Sequence, residues 1–502
     1  MSESHFLHGF LNPKSVAFYG ANNKGGSLAA IQIMNLIKSN YDGKIYPIHL
    51  NLDSVMGFKA YKSIQDIPEV PDLVIIVLPA EIVPNIFREC GEKGVKRIIL
   101  ISGGFRELIG DRENTITEEI LKIAKRYGIR FIGPNCLGVF NNWYGNKEQN
   151  KAFNMAIWEI LKKGNFSIAS QSGTLSSHIW FDPENVDFGL SKSLSVGNEA
   201  DIDIVDCLEY YKDDKQTSII GLYIEELKRG KKFLNLAKEI TPKKPIIAIY
   251  VGGSEAGNRA LKSHTGALAG DAKIYDAVFK ETGIIRTDYV QEFLDIALIL
   301  SKGILPKGKR LGIITNSGGP GAMIANNAEK HGLLIPEFSN SLQKTLKDNL
   351  PSTASFKNPV DCTFDMDLPY FYITLPEILM KSGEVDAIIQ YGVVGFQDVM
   401  DDYLKYDKIA KHAEFQSQPD AVMDKIAKQL ITPPLENAKK YSIPMLYVSP
   451  MPFNSPWSKR LRQNGAILFK LWDRPVNAIA KIINYVEICK NRGLDPSSIL
   501  TN

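Results

Sequence analysis

A histidine among small residues is the first candidate for chemistry in this chain of 502 residues. His264 lies in the stretch LKSHTGALAGD, which includes Gly266 and Gly270. A histidine that accepts a phosphoryl group must be a nucleophile and must reach more than one partner. Glycines would let its loop move and let phosphate oxygens approach the backbone. A lone loop histidine is more often a capping or surface residue, as we expect for His178 and His331.

A carboxylate at the end of a strand is the natural companion of such an imidazole. The stretch GLYIEEL predicts a buried strand over Ile219–Ile224, with Glu225 at its carboxyl end. Ligands of open α/β sheets bind at that end of the strands. A carboxylate there can fix the tautomer of an imidazole and raise its basicity. An exposed loop carboxylate is the alternative, and Glu226 is equally eligible.

One strand-to-helix turn has the hydroxyl groups of an anion site. In the stretch FSIASQSGTLSSHIW a strand ends at Ser170, and a helix begins with Ser172, Gly173 and Thr174. Hydroxyls and unpaired backbone N–H groups at the start of a helix can cradle a phosphate. Simple N-capping is the commoner explanation of an isolated S-x-S-G pattern.

A second glycine turn lies near the start of the chain, in SVAFYGANNKGGS. Gly20, Gly25 and Gly26 precede a predicted helix, but their spacing is not G-x-G-x-x-G. The next strand ends in His49 and Asn51, where a dinucleotide site would place an acidic residue. A dinucleotide bound through its ribose is therefore disfavoured. A phosphate-rich nucleotide of another type and a turn without a ligand both stay open.

Alternating strands and helices must position these groups. In the first third, five short aliphatic runs are separated by amphipathic segments of helix length at 27–38, 82–93 and 114–127. Short apolar strands that alternate with helices are typical of a parallel sheet covered on both faces. The same rhythm returns twice further along the chain. The pattern predicts an α/β fold of three consecutive doubly wound domains.

Breaks in this rhythm predict the domain boundaries. The first domain is predicted over residues 1–140, and the polar stretch after it predicts a linker at 141–163. The second is predicted over 164–303, up to the stretch GILPKGKR, which is rich in Gly, Pro and Lys. The third is predicted over 308–490, with helical excursions or an insertion near 395–438.

Composition excludes several classes of protein. The net charge of +3 is too small to indicate nucleic acid or an anionic membrane as a partner. No apolar run approaches the length of a membrane span, and the first residues do not have the pattern of a secretory signal. The 5 cysteines are scattered and never form C-x-x-C. Reduced thiols in a cytoplasm are therefore expected, with neither disulfides nor a metal site.

Seven motifs in a fixed order resemble one family. They are GPNCLGV, SQSGTL, SVGNEADID, YIE, SHTGALAG, TNSGGPG and NPVD. This order is similar to that of the NDP-forming acyl-CoA synthetases, relatives of succinyl-CoA synthetase, and most similar to the alpha subunit of an ADP-forming acetyl-CoA synthetase. The resemblance spans roughly residues 8–490. It implies a Rossmann-like CoA-binding domain, followed by two flavodoxin-like domains of the succinyl-CoA synthetase type.

The resemblance implies a ligase that interconverts acyl-CoA, ADP and phosphate with a carboxylic acid, CoA and ATP. The intermediates would be an acyl phosphate and a phosphohistidine. His264 matches the phosphorylated histidine and Glu225 the carboxylate that orients it. The phosphate would bind at Ser170, Ser172, Gly173, Thr174 and Gly266. Coenzyme A would lie against Gly20, Ala21, Asn22, Pro47, Val77, Pro79, Ser102, Gly103, Asn135 and Cys136.

Two departures from the family pattern stand out. The stretch His49, Leu50 and Asn51 replaces an Asn-Pro-Lys element, so a lysine that would pair with a CoA phosphate is missing there. The ATP-grasp domains of the family are also missing, and no P-loop replaces them. The resemblance then implies that ADP or ATP, with Mg²⁺, binds to a separate ATP-grasp beta-type subunit, in a heterotetramer.

Two other functions compete with this prediction. The first is a catalytically inactive, CoA-binding regulatory protein of the same fold. The altered element after the second strand favours it, whereas the presence of both His264 and Glu225 speaks against it. The second is an NAD-dependent oxidoreductase, which depends only on the first glycine turn and leaves SHTGALAG unexplained.

Overall fold

A computed structural model of the chain describes residues 4–105, 111–145, 151–157, 161–180, 188–265, 270–363, 367–410, 412 and 417–494. The chain forms two compact units, Met1–Phe293 and Leu294–Thr501. The first unit contains sheets of five and seven strands, and the second contains a sheet of six strands. The expected α/β class with doubly wound domains is confirmed. The predicted domain boundaries stay a prediction.

The five-stranded sheet is parallel throughout. Its part of the chain contains β1 (Ser15–Tyr19), β2 (Lys44–Ile48), β3 (Ser54–Val55), β4 (Phe58–Lys59), β5 (Leu73–Ile76), β6 (Arg97–Leu100) and β7 (Arg130–Ile132). The helices are α1 (His8–Leu11), α2 (Leu28–Lys38), α3 (Val83–Lys93) and α4 (Asp111–Tyr127). The strand order is β2-β1-β5-β6-β7, and β3 and β4 form a separate hairpin. The order reverses between β1 and β5, which is where such sheets bind ligands.

The seven-stranded sheet completes the first unit. Its strands are β8 (Gly138–Asn141), β9 (Phe153–Asn154), β10 (Lys163–Ser170), β11 (Leu190–Ser195), β12 (Ile219–Ile224), β13 (Ile246–Tyr250) and β14 (Ile285–Thr287). The helices are α5 (Gly173–Ser177), α6 (Ile204–Asp213), α7 (Gly230–Ile240), α8 (Glu255–Thr265) and α9 (Ala272–Thr282). The next helix, α10 (Val290–Ser301), contains the boundary between the two units. The strand order is β14-β13-β12-β10-β11-β8-β9.

The second unit has one six-stranded sheet, ordered β16-β17-β15-β18-β19-β20. The strands are β15 (Leu311–Thr315), β16 (Ser355–Phe356), β17 (Val360–Asp361), β18 (Ala387–Tyr391), β19 (Met445–Val448) and β20 (Ile467–Phe469). The helices are α11 (Gly318–Lys330), α12 (Asn340–Lys347), α13 (Leu375–Ser382), α14 (Phe396–Tyr403), α15 (Asp407–Ala410), α16 (Asp420–Tyr441), α17 (Pro456–Gln463) and α18 (Asp473–Asn491). Where it is described, the segment near 395–438 is therefore mostly helical, with α14, α15 and most of α16.

The edge strands depart from the purely parallel pattern. β8 pairs antiparallel with β11, and β9 pairs antiparallel with β8. The stretch predicted as a linker thus contributes a strand to the second sheet. The central strands are apolar and buried on both faces, as in β1, β13 and β15. Continuous burial of short aliphatic runs is what a sheet covered by helices on both sides requires.

Candidate active site

The first candidate ligand-binding site lies at one edge of the five-stranded sheet, at the carboxyl ends of β1, β5 and β6. Gly20 has a φ of +88°, and a Cβ there would lie 2.1 Å from the carbonyl oxygen of Val77. Only glycine fits such a close approach. The Leu78 amide donates to the Ser102 hydroxyl at 2.9 Å, and the Asn135 amide donates to the Ser102 carbonyl at 2.9 Å. These bonds bring the predicted CoA residues of three loops together.

The predicted CoA residues differ in their access to solvent. Ala21, Pro47 and Cys136 are buried, so they line the floor of the edge without presenting polar groups. The other predicted residues are partly or fully exposed: Gly20, Asn22, Val77, Pro79, Ser102, Gly103 and Asn135. The side-chain oxygen of Asn22 accepts the Lys24 amide at 2.8 Å, which orders the glycine turn before α2.

The unusual element after β2 is held by its histidine. The Nδ1 atom of His49 accepts the backbone amides of Asn51 and Leu52 at 3.1 and 3.2 Å. A lysine does approach this turn, because the Lys62 ammonium donates to the Leu50 carbonyl at 3.0 Å. His49 is therefore a capping residue here, and a cation lies beside the turn although the sequence of the turn itself contains none.

The predicted phosphate turn follows β10. The buried Ser170 hydroxyl donates to the Ser172 carbonyl at 2.7 Å, and the Ser172 hydroxyl accepts the Leu175 amide at 3.3 Å. Ser170 therefore fixes the turn, whereas Ser172 caps the five-residue helix α5. Gly173 is partly exposed and Thr174 is exposed. These last three residues present the surface of the turn, and Ser170 supports it from below.

Glu225 lies beside this turn. It directly follows β12, which pairs with β10 so that Tyr223 is opposite Ser170. The residue is 5% exposed. The other neighbour of β12 is β13, whose last residue pairs with Ile224 and which leads into α8. The Ser172 turn, Glu225 and the start of α8 therefore share the carboxyl edge of three adjacent strands.

The expected loop around His264 is wrong in its first half. Residues Glu255–Thr265 form α8, so the backbone of His264 lies in the last turn of a helix. The run includes Ala260, Leu261 and Lys262, which are strong helix formers, and this outweighs the small residues that follow. Gly266 lies outside the described residues. The segment is anchored beyond that gap, where the Tyr250 hydroxyl donates to the Gly270 carbonyl at 2.8 Å.

Two residues that the sequence did not single out lie within this edge. Gln171 is 7% exposed and binds the peptide groups of Glu225 and Glu226. Glu199 is 4% exposed, has a φ of +53°, and accepts the Ile204 amide at 2.8 Å. Burial raises the pKa of Glu199 to about 8. Both lie in motifs that carry the family resemblance, SQSGTL and SVGNEADID, but the motifs alone attach no role to them.

Backbone hydrogen bonds join the loop after β7, in the first sheet, to the loop after β11, in the second. The Asn198 amide donates to the Pro134 carbonyl at 3.0 Å, and the Ala200 amide donates to the Gly133 carbonyl at 3.1 Å. The motif GPNCLGV thus packs directly on the motif SVGNEADID.

The chemistry available here is anion binding and proton transfer by a buried carboxylate. Among the described residues, no group of three or more His, Cys, Asp or Glu side chains could hold a metal ion. No helix in the described part of the chain is long and apolar enough to cross a bilayer. A glycine turn at one strand edge, with a hydroxyl turn and a strand-end carboxylate at the next, is the arrangement that the motif resemblance implies for an acyl-CoA ligase of the succinyl-CoA synthetase type.

Comparisons with known proteins lead to the same class. Residues 14–142 match the model of a CoA binding domain, and residues 163–300 match that of a succinyl-CoA ligase like flavodoxin domain. The alpha subunit of acetate–CoA ligase [ADP-forming] II from Pyrococcus furiosus is 40% identical over 385 residues, which are 77% of this chain and 82% of that protein. The chain belongs to the NDP-forming acyl-CoA synthetase family, as its motifs predicted.

Two further relatives extend this comparison. Acetate–CoA ligase [ADP-forming] from Methanocaldococcus jannaschii is 42% identical over 354 residues, which are 70% of this chain but only 48% of that protein. The solved structure of dinucleotide forming acetyl-coenzyme A synthetase 1 from Ca. Korarchaeum cryptofilum, in complex with phosphate and ADP, superposes with a TM-score of 0.78 at 27% identity. The superposition covers 99% of this chain and 100% of that one.

Proposed function

We propose that this chain is the alpha-type subunit of an ADP-forming acyl-CoA synthetase, an acid–thiol ligase of the acetate–CoA ligase type. One observation carries the proposal: the hydroxyl turn at Ser172, the buried Glu225 and the start of helix α8, the helix that contains His264, follow three adjacent strands at one sheet edge. The names and extents of the relatives support it. The inactive regulatory protein is not favoured, because the sequence contains both expected catalytic residues, His264 and Glu225.

The reaction follows in three balanced steps. A phosphate oxygen attacks the thioester carbonyl, the C–S bond breaks, and CoA leaves as the thiol with the proton from phosphate. An imidazole nitrogen of His264 then attacks the phosphorus of the acyl phosphate, and the carboxylic acid leaves with the P–O bond electrons. Finally an oxygen of ADP attacks the phosphohistidine, and the P–N bond breaks to give ATP.

The chain's own residues orient these steps. Ser172, Gly173 and Thr174 hold the phosphate through a hydroxyl and backbone amides at the start of α5, and Ser170 supports this turn. The motif resemblance adds Gly266, which lies outside the described residues, as a further phosphate-binding residue. Glu225 holds the proton on the far nitrogen of His264, so that the near nitrogen is free to attack. Coenzyme A lies along the first edge, from Gly20 to Asn135. Binding and orientation supply most of the rate enhancement in such an exchange.

The second subunit completes the enzyme. Transfer to ADP needs positioned charge around the polyphosphate, and this includes Mg²⁺. The Pyrococcus furiosus relative is named as a subunit alpha, and the match to the Methanocaldococcus jannaschii ligase leaves about half of that protein unmatched. An ATP-grasp beta-type subunit that binds ADP or ATP with Mg²⁺, in a cytoplasmic heterotetramer, fits these facts. The acid is a small carboxylic acid.

Phosphohistidine labelling tests the proposal. The full chain, assembled with an ATP-grasp subunit and γ-labelled ATP, should acquire a phosphate that is labile to acid and stable to base. The His264→Asn variant should acquire none. His331→Asn is the matched control, because the His331 ring only bonds the Asn327 carbonyl at the end of α11. Equal labelling of wild type and His264→Asn would contradict the assignment, and absence of labelling in wild type would favour the inactive regulatory protein.

A further inference from the structure

One amide side chain joins three loops at the candidate active site. The Gln171 Oε1 atom accepts the backbone amides of Glu225 and Glu226 at 2.5 and 3.1 Å. Its Nε2 atom donates to the Glu226 carbonyl at 2.7 Å. The Gln171 amide also favours the charged form of the nearby Glu199 carboxyl and so acts to lower its pKa. Gln171 therefore ties the end of β10 to the end of β12, close to Glu199 in the loop after β11.

The peptide that Gln171 holds lies just beyond the end of the sheet ladder. The pairing of β12 with β10 ends at Tyr223, and its pairing with β13 ends at Ile224. The Glu225 amide comes next, in a residue that is 5% exposed. A buried amide that loses its acceptor costs about 1–3 kcal/mol. Gln171 supplies an acceptor for this amide, and thereby fixes the backbone from which the Glu225 side chain projects.

Most of the hydrogen-bonding capacity of this amide is used by the backbone. A primary amide offers two acceptor positions and two N–H donors. Gln171 accepts two backbone amides and donates to the Glu226 carbonyl, so three of these four positions are bonded to backbone groups. This geometry favours a supporting role over direct contact with the reacting atoms.

The supports around Gln171 are themselves fixed. Glu199 accepts the Ile204 amide, and the Lys228 ammonium donates to the Glu199 carbonyl at 2.6 Å. On the other side, the Tyr275 hydroxyl accepts the Leu227 amide at 3.1 Å. The segment from Glu225 to Leu227 is thus clamped by side chains at every residue. Such a clamp preorganises a catalytic group before the substrate arrives.

We infer that Gln171 is a positioning residue. It sets the direction in which the Glu225 side chain projects from the end of β12, and Glu225 in turn orients the imidazole of His264. This inference rests on the proposed role of Glu225. Loss of an orienting partner of this kind typically reduces activity about 10–100-fold. The effect should appear in kcat and leave the KM for CoA unchanged, because the hydrogen bonds of the Gln171 side chain go to Glu225 and Glu226, which are not predicted to bind CoA.

Two substitutions separate positioning from mere stability. Gln171→Met keeps the length of the side chain and removes its three hydrogen bonds to the backbone, and should reduce kcat about 10–100-fold. Gln171→Glu removes both donors at high pH, but a protonated carboxyl restores one of them. Its kcat, relative to wild type, should therefore rise as the pH falls, whereas that of Gln171→Met should not. The titratable groups that face this position are Glu199, Glu225 and Glu226, with Lys228, Asp203, Cys207 and Tyr275 around them.

A double variant tests whether Gln171 acts through Glu225. Gln171→Met combined with Glu225→Gln should be no slower than Glu225→Gln alone, since residues that act as a unit are not additive. Gln390→Met is the matched control: Gln390 is a buried glutamine of β18 that bonds the Phe371 carbonyl, in the other unit. It should leave kcat unchanged.

The outcomes distinguish this inference from the proposed function. The assay uses the full chain with an ATP-grasp subunit, acetyl-CoA, ADP and phosphate, and thermal melting confirms that each variant is folded. Suppose that wild type is active and that Glu225→Gln is impaired. The positioning role is then refuted if Gln171→Met retains full kcat, or if the double variant shows the sum of the losses of the two single variants. If wild type itself shows neither activity nor phosphohistidine, the proposed function fails instead.

Discussion

The Lys192 ammonium lies 2.6 Å from the Asp214 carboxylate, with the two side chains 2% and 1% exposed. Lys192 lies within β11, and Asp214 follows α6. The same carboxylate accepts the Thr217 hydroxyl at 2.5 Å. Burial lowers the pKa of Lys192, and the attraction of Asp214 opposes that shift. The two charges are therefore stable inside the sheet only as a pair.

Replacing one partner of this pair should be costly. Lys192→Met leaves Asp214 buried without a counter-charge, and should lower the free energy of unfolding of the first unit by about 3–5 kcal/mol. Urea unfolding followed by tryptophan fluorescence would measure this loss. Lys212→Met is the control, because Lys212 pairs with Glu239 at the surface and such pairs contribute less than about 1 kcal/mol. Equal stability of Lys192→Met and wild type would contradict the argument.

The contact between the loop after β7, which contains Pro134, and the loop after β11 should depend on a single glycine. Gly197 has a φ of +57°, and a Cβ there would lie 2.2 Å from the Pro134 carbonyl oxygen. Gly197→Ala must therefore push the two loops apart. We expect a loss of at least about 2 kcal/mol in stability, since the left-handed conformation alone costs about 1–2 kcal/mol.

Calorimetry of CoA binding and urea unfolding would test the role of Gly197. Gly197→Ala should also weaken CoA binding, because Asn135 belongs to the displaced loop. Gly230→Ala is the matched control, since Gly230 begins α7 and a methyl group added there would have no atom within 4 Å. It should be neutral or stabilising. Unchanged CoA affinity in Gly197→Ala would show that the contact between the loops does not shape the CoA site.

The Glu225 carboxylate should matter for turnover and little for folding. Glu225→Gln keeps the shape of the side chain and removes the charge that orients the imidazole, so kcat should fall about 10–100-fold. The rate of ATP formation by the complex with an ATP-grasp subunit would measure this. Glu226→Gln is the control from the neighbouring position. If Glu226→Gln is impaired and Glu225→Gln is not, the role belongs to Glu226.

The sequence predicted the apolar strands and failed on a polar one. The strand β12 is a continuous apolar run, and it lies at the predicted residues Ile219–Ile224. The strand β11 has the sequence LSKSLS, which has no strand-like pattern, yet all six residues are buried. Lys192 pairs with Asp214, the Ser193 hydroxyl donates to the Ser176 carbonyl and the Ser195 hydroxyl accepts the Leu137 amide, so these partners lie elsewhere in the chain. No local pattern can reveal such compensation.

The candidate site, like the strands, could be predicted from the sequence only in part. Glu225 was recognisable because it follows an aliphatic strand, and His264 because its neighbours are unusually small. Gln171 and Glu199 were not, because their importance arises from loops that meet only in the folded chain. The helical backbone at His264 was missed for a different reason: the glycines after it suggested a loop, while the preceding residues favour a helix.

The buried Glu199 carboxyl should make the stability of the first unit depend on pH. Burial raises its pKa from 4.5 to about 8, against the weaker effect of Lys228. A group with a raised pKa in the folded state contributes stability that is fully present below its unfolded pKa, and loses it as the pH rises through the folded value. Wild type should therefore lose stability from this group between about pH 4.5 and pH 8.

The Glu199→Gln variant lacks the titrating proton, and therefore lacks the pH dependence of stability that this proton causes. Compared with wild type, the variant should gain stability as the pH rises from about 5 to 9, by on the order of 3–5 kcal/mol at most, since each pKa unit corresponds to about 1.4 kcal/mol. At the acid end of this range it should be equal to wild type or slightly less stable, because its amide must replace a neutral carboxyl that already accepts the Ile204 amide. Urea unfolding at several pH values would measure the difference. Parallel pH profiles for the two proteins would mean that Glu199 is charged in the folded chain across this range, and that Lys228 and the Gln171 amide stabilise that charge more than burial opposes it.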